Sequence, residues 1–272
     1  MGACEVNATF YRLQAESTFE RWASEVGADF RFVIKAHRRI THGAALMADE
    51  SDTAFVERFC ESLRLLGPKL GALLLQFPPS RRRDDDGLRR LLAALPPGLA
   101  AACEFRHASW DDPSVDDLLA EARAGRCLAD TGGVVPASLP AGPIGYVRLR
   151  SNHYDEDARL AWSQLLQQEG VTRDVYAFAK HEGVPPGDPH AGIGLAEWLL
   201  REPWEGVSNW GHPGPPPSFM VSPQTVSPLV ICVPKASRGC ANSVTPGQES
   251  ARTVRRAGGR QAGSVAPRHP PL

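Results

Sequence analysis

Short apolar runs alternate with amphipathic stretches from the start of the chain to about residue 201. The runs at 3–7, 30–36, 71–77, 101–106, 125–130, 144–149 and 174–180 have the length and composition of buried strands. Between most of them, apolar residues recur every three or four positions, which gathers them on one helical face. The segment 17–26 gathers Phe19, Trp22, Ala23 and Val26, with Ser17 or Thr18 as the cap and Gly27 at its end. The segment 53–66 follows Asp52 and gathers Phe55, Val56, Phe59, Leu63 and Leu66. At 86–95 the face is leucine, stopped by Pro96 and Pro97. Asp112 and Pro113 open a helix over 113–124, and Asp155 opens another over 156–169. A last helix over about 190–201 carries Ile193, Leu195, Ala196, Trp198 and Leu199.

Strands alternating with helices predict an α/β protein with a parallel sheet under a layer of helices. The doubly wound form lacks its usual signal, because no GxGxxG joins a strand to a helix. The alternative is a TIM-type parallel (β/α) barrel. Seven strands are legible where a closed barrel has eight, so the expectation is a barrel over 1–201 whose missing stave lies upstream of Ala3. The pattern stops after Arg201. Residues 203–272 hold 12 of the 24 prolines, and only Leu229 to Val233 could form a short strand. The segment 202–272 is therefore expected to be a disordered tail rich in Pro, Gly and Arg.

Strand parity predicts the barrel's contents. Alternate residues face opposite ways, and the face meeting the helices must be apolar. In 144–150 Val147 and Leu149 face the helices, turning Tyr146, Arg148 and Arg150 inward. In 101–106 Cys103 and Phe105 go out while Glu104 and Arg106 go in. The same reasoning turns Glu5 and Asn7, Lys35, and Gln76 inward. In 125–130 it places Cys127 and Ala129 outward and Leu128 and Asp130 inward. For 174–180, Tyr176, Phe178 and Lys180 form one candidate inner face. Most of the inward polar residues lie at C-terminal strand ends, where barrels of this kind carry their sites. Charges gathered there must pair or be hydrogen-bonded. Five cations against three carboxylates leave an excess that an anionic ligand would complete.

Composition changes this picture little. The net charge of −1 excludes bulk attraction to nucleic acid or membranes, although 203–272 alone holds seven Lys or Arg against two Asp or Glu. None of the six cysteines forms a CxxC pair, so they read as buried thiols in a reducing compartment. No apolar run approaches the length of a membrane helix, and the first residues do not read as a signal peptide, so a cytoplasmic location is expected.

The strings Glu5-Val-Asn-Ala-Thr-Phe-Tyr11, Phe30-Arg-Phe-Val-Ile-Lys35, Ile40-Thr-His42, Leu75-Gln-Phe-Pro-Pro79, Glu104-Phe-Arg-His107 with Ser109-Trp110, and Tyr146-Val-Arg148 resemble one family. It is the domain of unknown function 72, or YecE-like, family. The resemblance covers about residues 3–201 and implies a TIM-type barrel and no established activity. It also implies a strand and helix ahead of Ala3, and it gives no counterpart to the tail.

Three hypotheses follow. The first is an enzyme binding, and hydrolysing, an anionic substrate that bears phosphate or resembles a nucleic-acid component. Glu104 would be its base, with Lys35 and Asp130 completing the catalytic set. Lys35, Arg106 and Arg148 would clamp the anion. Tyr11 and Trp110 would stack on a base or sugar ring, and Glu5, Asn7, Gln76 and His107 would line the site. No cofactor is expected. A divalent metal held by His42, His107, Glu104 and Asp130 lacks the ligand spacing that would support it. The second hypothesis is a non-catalytic binding module for nucleic acid or an anionic metabolite, and the third is an inactive gene fragment.

Overall fold

The computed structural model describes residues 2–180, 183–185 and 187–201, and the backbone of the strand 229–232. Seven parallel strands follow the seven apolar runs: β1 (Ala3–Val6), β2 (Arg31–Lys35), β3 (Leu70–Gln76), β4 (Ala101–Glu104), β5 (Gly125–Asp130), β6 (Ile144–Leu149) and β7 (Asp174–Ala179). Each pairs with the next in chain order, giving a nearly closed barrel. An eighth strand, β8 (Leu229–Cys232), pairs in parallel with β7, so the segment expected to be structureless contributes one stave. The rest of the expected tail, 202–228 and 233–272, lies outside the described residues. By its contacts the chain divides into two units, residues 1–237 and 238–272, and every described residue belongs to the first.

The helices are α1 (Ala8–Tyr11), α2 (Glu16–Ser24), α3 (Arg38–His42), α4 (Glu50–Leu63), α5 (Asp85–Ala93), α6 (Pro113–Glu121), α7 (Glu156–Gly170) and α8 (Gly192–Arg201). Asp112 caps α6, with Pro113 in its first turn, and Asp155 caps α7, as the sequence predicts. Two starts differ. The cap of α4 is Asp49, whose carboxylate accepts from the Ser51 and Asp52 amides. Asp52 is taken up elsewhere, accepting from the Ala48 amide at 3.0 Å and pairing with Arg39 at 3.4 Å. Neither Ser17 nor Thr18 caps α2, which begins at Glu16 without a side-chain cap. The short α1 and α3, directly after β1 and β2, have too few residues for a periodic signal.

Helix-facing side chains form two cores. Phe32, Ile34, Leu73, Leu75, Phe77 and Cys103 meet Phe55, Phe59 and Leu63 of α4 and Leu88 and Leu91 of α5. Val147, Leu149, Val175 and Ala177 meet Trp162 and Leu166 of α7 and Leu195 of α8. Burying one such side chain stabilises by about 1.5–3 kcal/mol. A third cluster fills the barrel itself, with Val33, Ala72, Leu74, Ala102, Tyr146 and Tyr176. Gly71 leaves room for it: a Cβ there would lie 2.7 Å from the Tyr176 hydroxyl.

The expected faces hold for β1, β2, β3, β4 and β6, and the inner face of β7 is the candidate one. The assignment of β5 is inverted. Cys127 is level with Tyr146 and Ala129 with Arg148, so both face the barrel. Leu128 packs in the outer core. The expectation placed Asp130 inside because polar residues were assigned away from the helices. The structure accommodates polar residues on the outer face by giving each a partner. Arg126 bonds Asp116 of α6 at 2.6 Å and lies over Phe105. Asp130 accepts from the Tyr154 hydroxyl at 2.5 Å. Inside, Gly125, Cys127 and Ala129 are small enough to leave space for Tyr146 and Arg148.

Candidate functional site

Five strands deliver charged or amide side chains to the C-terminal rim. Glu5 lies near the end of β1, Arg148 near that of β6, and Lys35, Gln76 and Glu104 are the last residues of β2, β3 and β4. Arg148 is the hub. Its Nη2 donates to Glu5 Oε1 at 2.9 Å, and its Nη1 donates to Glu104 Oε2 at 2.6 Å and Gln76 Oε1 at 2.9 Å. Arg106 donates from Nε to Glu104 Oε1 at 2.7 Å and from Nη2 to Gln76 Oε1 at 3.1 Å. The Tyr146 hydroxyl donates to Glu5 Oε2 at 2.8 Å, and Asn7 Nδ2 donates to Glu5 Oε1 at 3.3 Å.

Both carboxylates are therefore paired and out of water, with side-chain exposures of 0% for Glu5 and 2% for Glu104. Burial alone would raise the Glu104 carboxyl, but Arg148 and Arg106 beside it hold it below the usual range. Arg148 is likewise disfavoured as a cation by burial, yet Glu5 and Glu104 keep it charged. The pairing offsets the cost of burying these charges.

Above this lattice opens a cavity of about 570 Å³. Among the described residues, six cationic side chains line it, namely Lys35, Arg38, Arg106, Arg148, Arg150 and Lys180, against one carboxylate, Glu5. Asn7, Gln76, His42, Phe10, Tyr11 and Phe178 complete most of the wall. The turn α1 sets Phe10 in place. The Thr9 hydroxyl donates to the Lys35 carbonyl at 2.7 Å, tying the turn to the end of β2. The Phe10 ring then stands 4.1 Å from Lys35 Nζ and meets the His42 ring edge-on at 4.9 Å. Burial lowers the Lys35 ammonium, Arg148 lowers it further, and Glu5 and Glu104 offset part of this; the result is about 8. His42 is also held below its ordinary value, by burial and then by Lys35 and Arg106.

The Protein of unknown function DUF72 family matches residues 1–187 of the chain. The chain belongs to this family. Among curated relatives, the UPF0759 protein YunF of Bacillus subtilis (strain 168) is 30% identical over 114 residues, 40% of each chain. The UPF0759 protein YecE of Escherichia coli (strain K12) is 33% identical over 105 residues, 38% of this chain and 37% of YecE. The matched stretch thus spans about two fifths of the relatives' own length. Solved structures of the DUF72 family share the fold. The protein from Enterococcus faecalis V583 gives a TM-score of 0.58 at 21% identity, covering 74% of this chain and 87% of that one. The protein from Thermotoga maritima MSB8 gives 0.54 at 21%, covering 65% and 76%.

In this DUF72 barrel, most of the residues expected from the sequence converge. Glu5, Asn7, Lys35, Gln76, Arg106 and Arg148 meet at the rim, Glu104 lies in the lattice beneath the cavity, and Tyr11 is 71% exposed at its edge. Three expected residues do not join them. Asp130 lies on the outer face of β5 with Tyr154. Trp110 is 0% exposed, stacked on Phe105 at 4.3 Å, with its Nε1 donating to the Arg81 carbonyl at 2.9 Å. It packs under the loop and presents no face to a ligand. His107 Nδ1 accepts from the Ser109 amide at 3.0 Å, closing a turn after β4, and does not line the cavity. Phe10 and Arg38 are site residues that the sequence reading did not single out. Phe10 lay inside the Glu5–Tyr11 string, and Arg38 in the pair Arg38-Arg39, of which Arg39 turns away to Asp52. Among the described residues, no group of three or more His, Cys, Asp or Glu stands together as a metal site would require. No described helix is long and apolar enough to cross a membrane.

Proposed function

We propose that this DUF72 barrel binds an anionic ligand, phosphate-bearing or resembling a nucleic-acid component, in the cavity at its C-terminal rim. One observation carries the reading: among the described residues, six cations face the cavity, and Glu5 and Glu104 beside them are already engaged by Arg148 and Arg106. Arg38 and Arg150 make no side-chain hydrogen bond or ion pair to another described residue, so their donors are open to a ligand. An anion there would neutralise the excess and accept charge-assisted hydrogen bonds.

Hydrolysis with Glu104 as base fits this geometry less well. Both Glu104 oxygens accept from arginines, its basicity is lowered, and it lies below the cavity wall. That pairing favours ligand binding, with Glu104 positioning Arg106 and Arg148. Calorimetric titration with inorganic pyrophosphate and with a short oligonucleotide tests the reading. Binding is expected for at least one of them, weakened about tenfold by Arg150→Gln or Arg38→Gln. Absence of binding by either, or binding indifferent to both substitutions, would refute it.

A further inference from the structure

We propose that Lys35 is an attachment point for anionic carbonyl compounds, aldehydes or ketones bearing a phosphate or carboxylate, which it holds as a protonated imine. This rests on the anion-binding reading of the same cavity and names the ligand class within it. The chain has four lysines among its 30 basic residues. Lys69 is committed to structure, since its Nζ donates to the carbonyls of Ala23 and Val26 at 2.5 and 2.7 Å. Lys180 donates to Asn152 Oδ1 at 2.9 Å. Lys235 lies outside the described residues. Among those described, Lys35 alone brings an amine to the cavity with no hydrogen bond made by its Nζ.

The surroundings suit attack on a carbonyl. Thr9 fixes the backbone at Lys35, and the Phe10 ring covers one side of the amine. The guanidinium groups of Arg106, Arg148 and Arg150 line the same cavity and can hold the anionic end of a substrate while the carbonyl end reaches Nζ. Nothing in an anion clamp requires a lysine here, since arginine offers the better fork. The amine adds a nucleophile, which arginine cannot supply. With its ammonium lowered to about 8, the neutral fraction near pH 7 exceeds that of an ordinary lysine by roughly two orders of magnitude.

The chemistry balances without an oxidant or a metal. The neutral amine adds to the carbonyl carbon, forming a C–N bond, while the C=O electron pair moves to oxygen. The nitrogen sheds one proton and the oxygen gains one, giving a carbinolamine. Protonation of the hydroxyl and loss of water leave the iminium, with a net uptake of one proton. His42, neutral and lining the same cavity, can relay these protons. The Phe10 ring face is suited to the iminium charge as it is to the ammonium.

The test treats the full chain with pyridoxal 5′-phosphate, a phosphate-bearing aldehyde, and separately with pyridoxal, each followed by borohydride to reduce any imine. Adducts are located by peptide mass mapping. The expected result is a reduced adduct at Lys35 about tenfold more abundant than at Lys180 near neutral pH, suppressed by inorganic phosphate and weak with pyridoxal. Lys35→Arg and Lys35→Met, checked for native circular dichroism, should both lack it. Phosphate binding without any Lys35 adduct would overturn the imine while leaving the anion reading intact. A Lys35 adduct that forms equally with pyridoxal and ignores phosphate would overturn the anionic class, and with it the reading beneath. Equal labelling of all lysines would overturn the special role of Lys35.

Discussion

Replacing Arg148 by Met tests the lattice at its hub. The substitution keeps an unbranched apolar stem and removes donors to three acceptors: Glu5 at 2.9 Å, Glu104 at 2.6 Å and Gln76 at 2.9 Å. Glu5 and Glu104 stay out of water, and Glu5 loses its cation while Glu104 keeps only Arg106. Breaking a buried pair by deleting one partner costs about 3–5 kcal/mol, against a total of about 5–15 kcal/mol for a typical domain. The sign of the pH dependence follows. In the wild type the folded Glu104 carboxyl lies below its unfolded value, so its contribution is present above the unfolded value and lost as pH falls through the folded one. In Arg148→Met the buried Glu104 carboxyl should rise above its unfolded value. The variant's stability should then be highest below the ordinary carboxylate range and fall as pH rises through the raised value. Urea unfolding followed by fluorescence of the buried Trp110 and Trp162 measures both effects, by linear extrapolation at several pH values. Adding Glu5→Gln and Glu104→Gln to the same chain should recover much of the loss, because removing both partners costs less than removing one. A loss under about 1 kcal/mol at neutral pH, or no relative gain on acidification, would refute the claim that Arg148 neutralises two buried carboxylates.

Three further outcomes are expected. Gly71→Ala should destabilise by about 1–3 kcal/mol, since its Cβ would lie 2.7 Å from the Tyr176 hydroxyl, and Tyr176→Phe in the same chain should relieve part of this; thermal unfolding reads both. Cys60 and Cys103, whose thiols burial pushes up to about 12, and Cys127, which burial likewise raises well above its ordinary value, should resist iodoacetamide in the native protein and react after unfolding, as peptide mapping would show. Sulfate, whose charge is constant above neutrality, should bind less well as pH rises through about 8 and Lys35 loses its proton. Over the same range up to 10.5 the unfolded chain binds more protons than the folded one, so stability should increase; calorimetry and urea titration check the two signs.

The architecture was legible because each strand and helix repeats its own signal. Apolar runs of strand length and faces of helical period leave few alternatives once GxGxxG is absent. The rim was legible because parity on β6 and β4 is set by strong outward residues, Val147 and Leu149, and Cys103 and Phe105. On β5 parity misled. The inner residues are small rather than polar, and the outer Arg126 and Asp130 are satisfied by Asp116 and Tyr154, partners that only the folded chain brings near. Trp110 is a similar case, since an aromatic residue on a mouth loop reads alike whether it stacks on a ligand or on Phe105. Phe10 and Arg38 were missed because single helical turns carry no period. The strand 229–232 was visible only as a short apolar run within a proline-rich segment, and its pairing with β7 is a long-range contact that composition does not announce.

Anomalous diffraction from a crystal soaked in selenate tests the central claim most directly. A peak in the rim cavity, within hydrogen-bonding reach of Arg106, Arg148 or Arg150, is the predicted result. Well-ordered selenate at other surfaces, with no peak in that cavity, would contradict it.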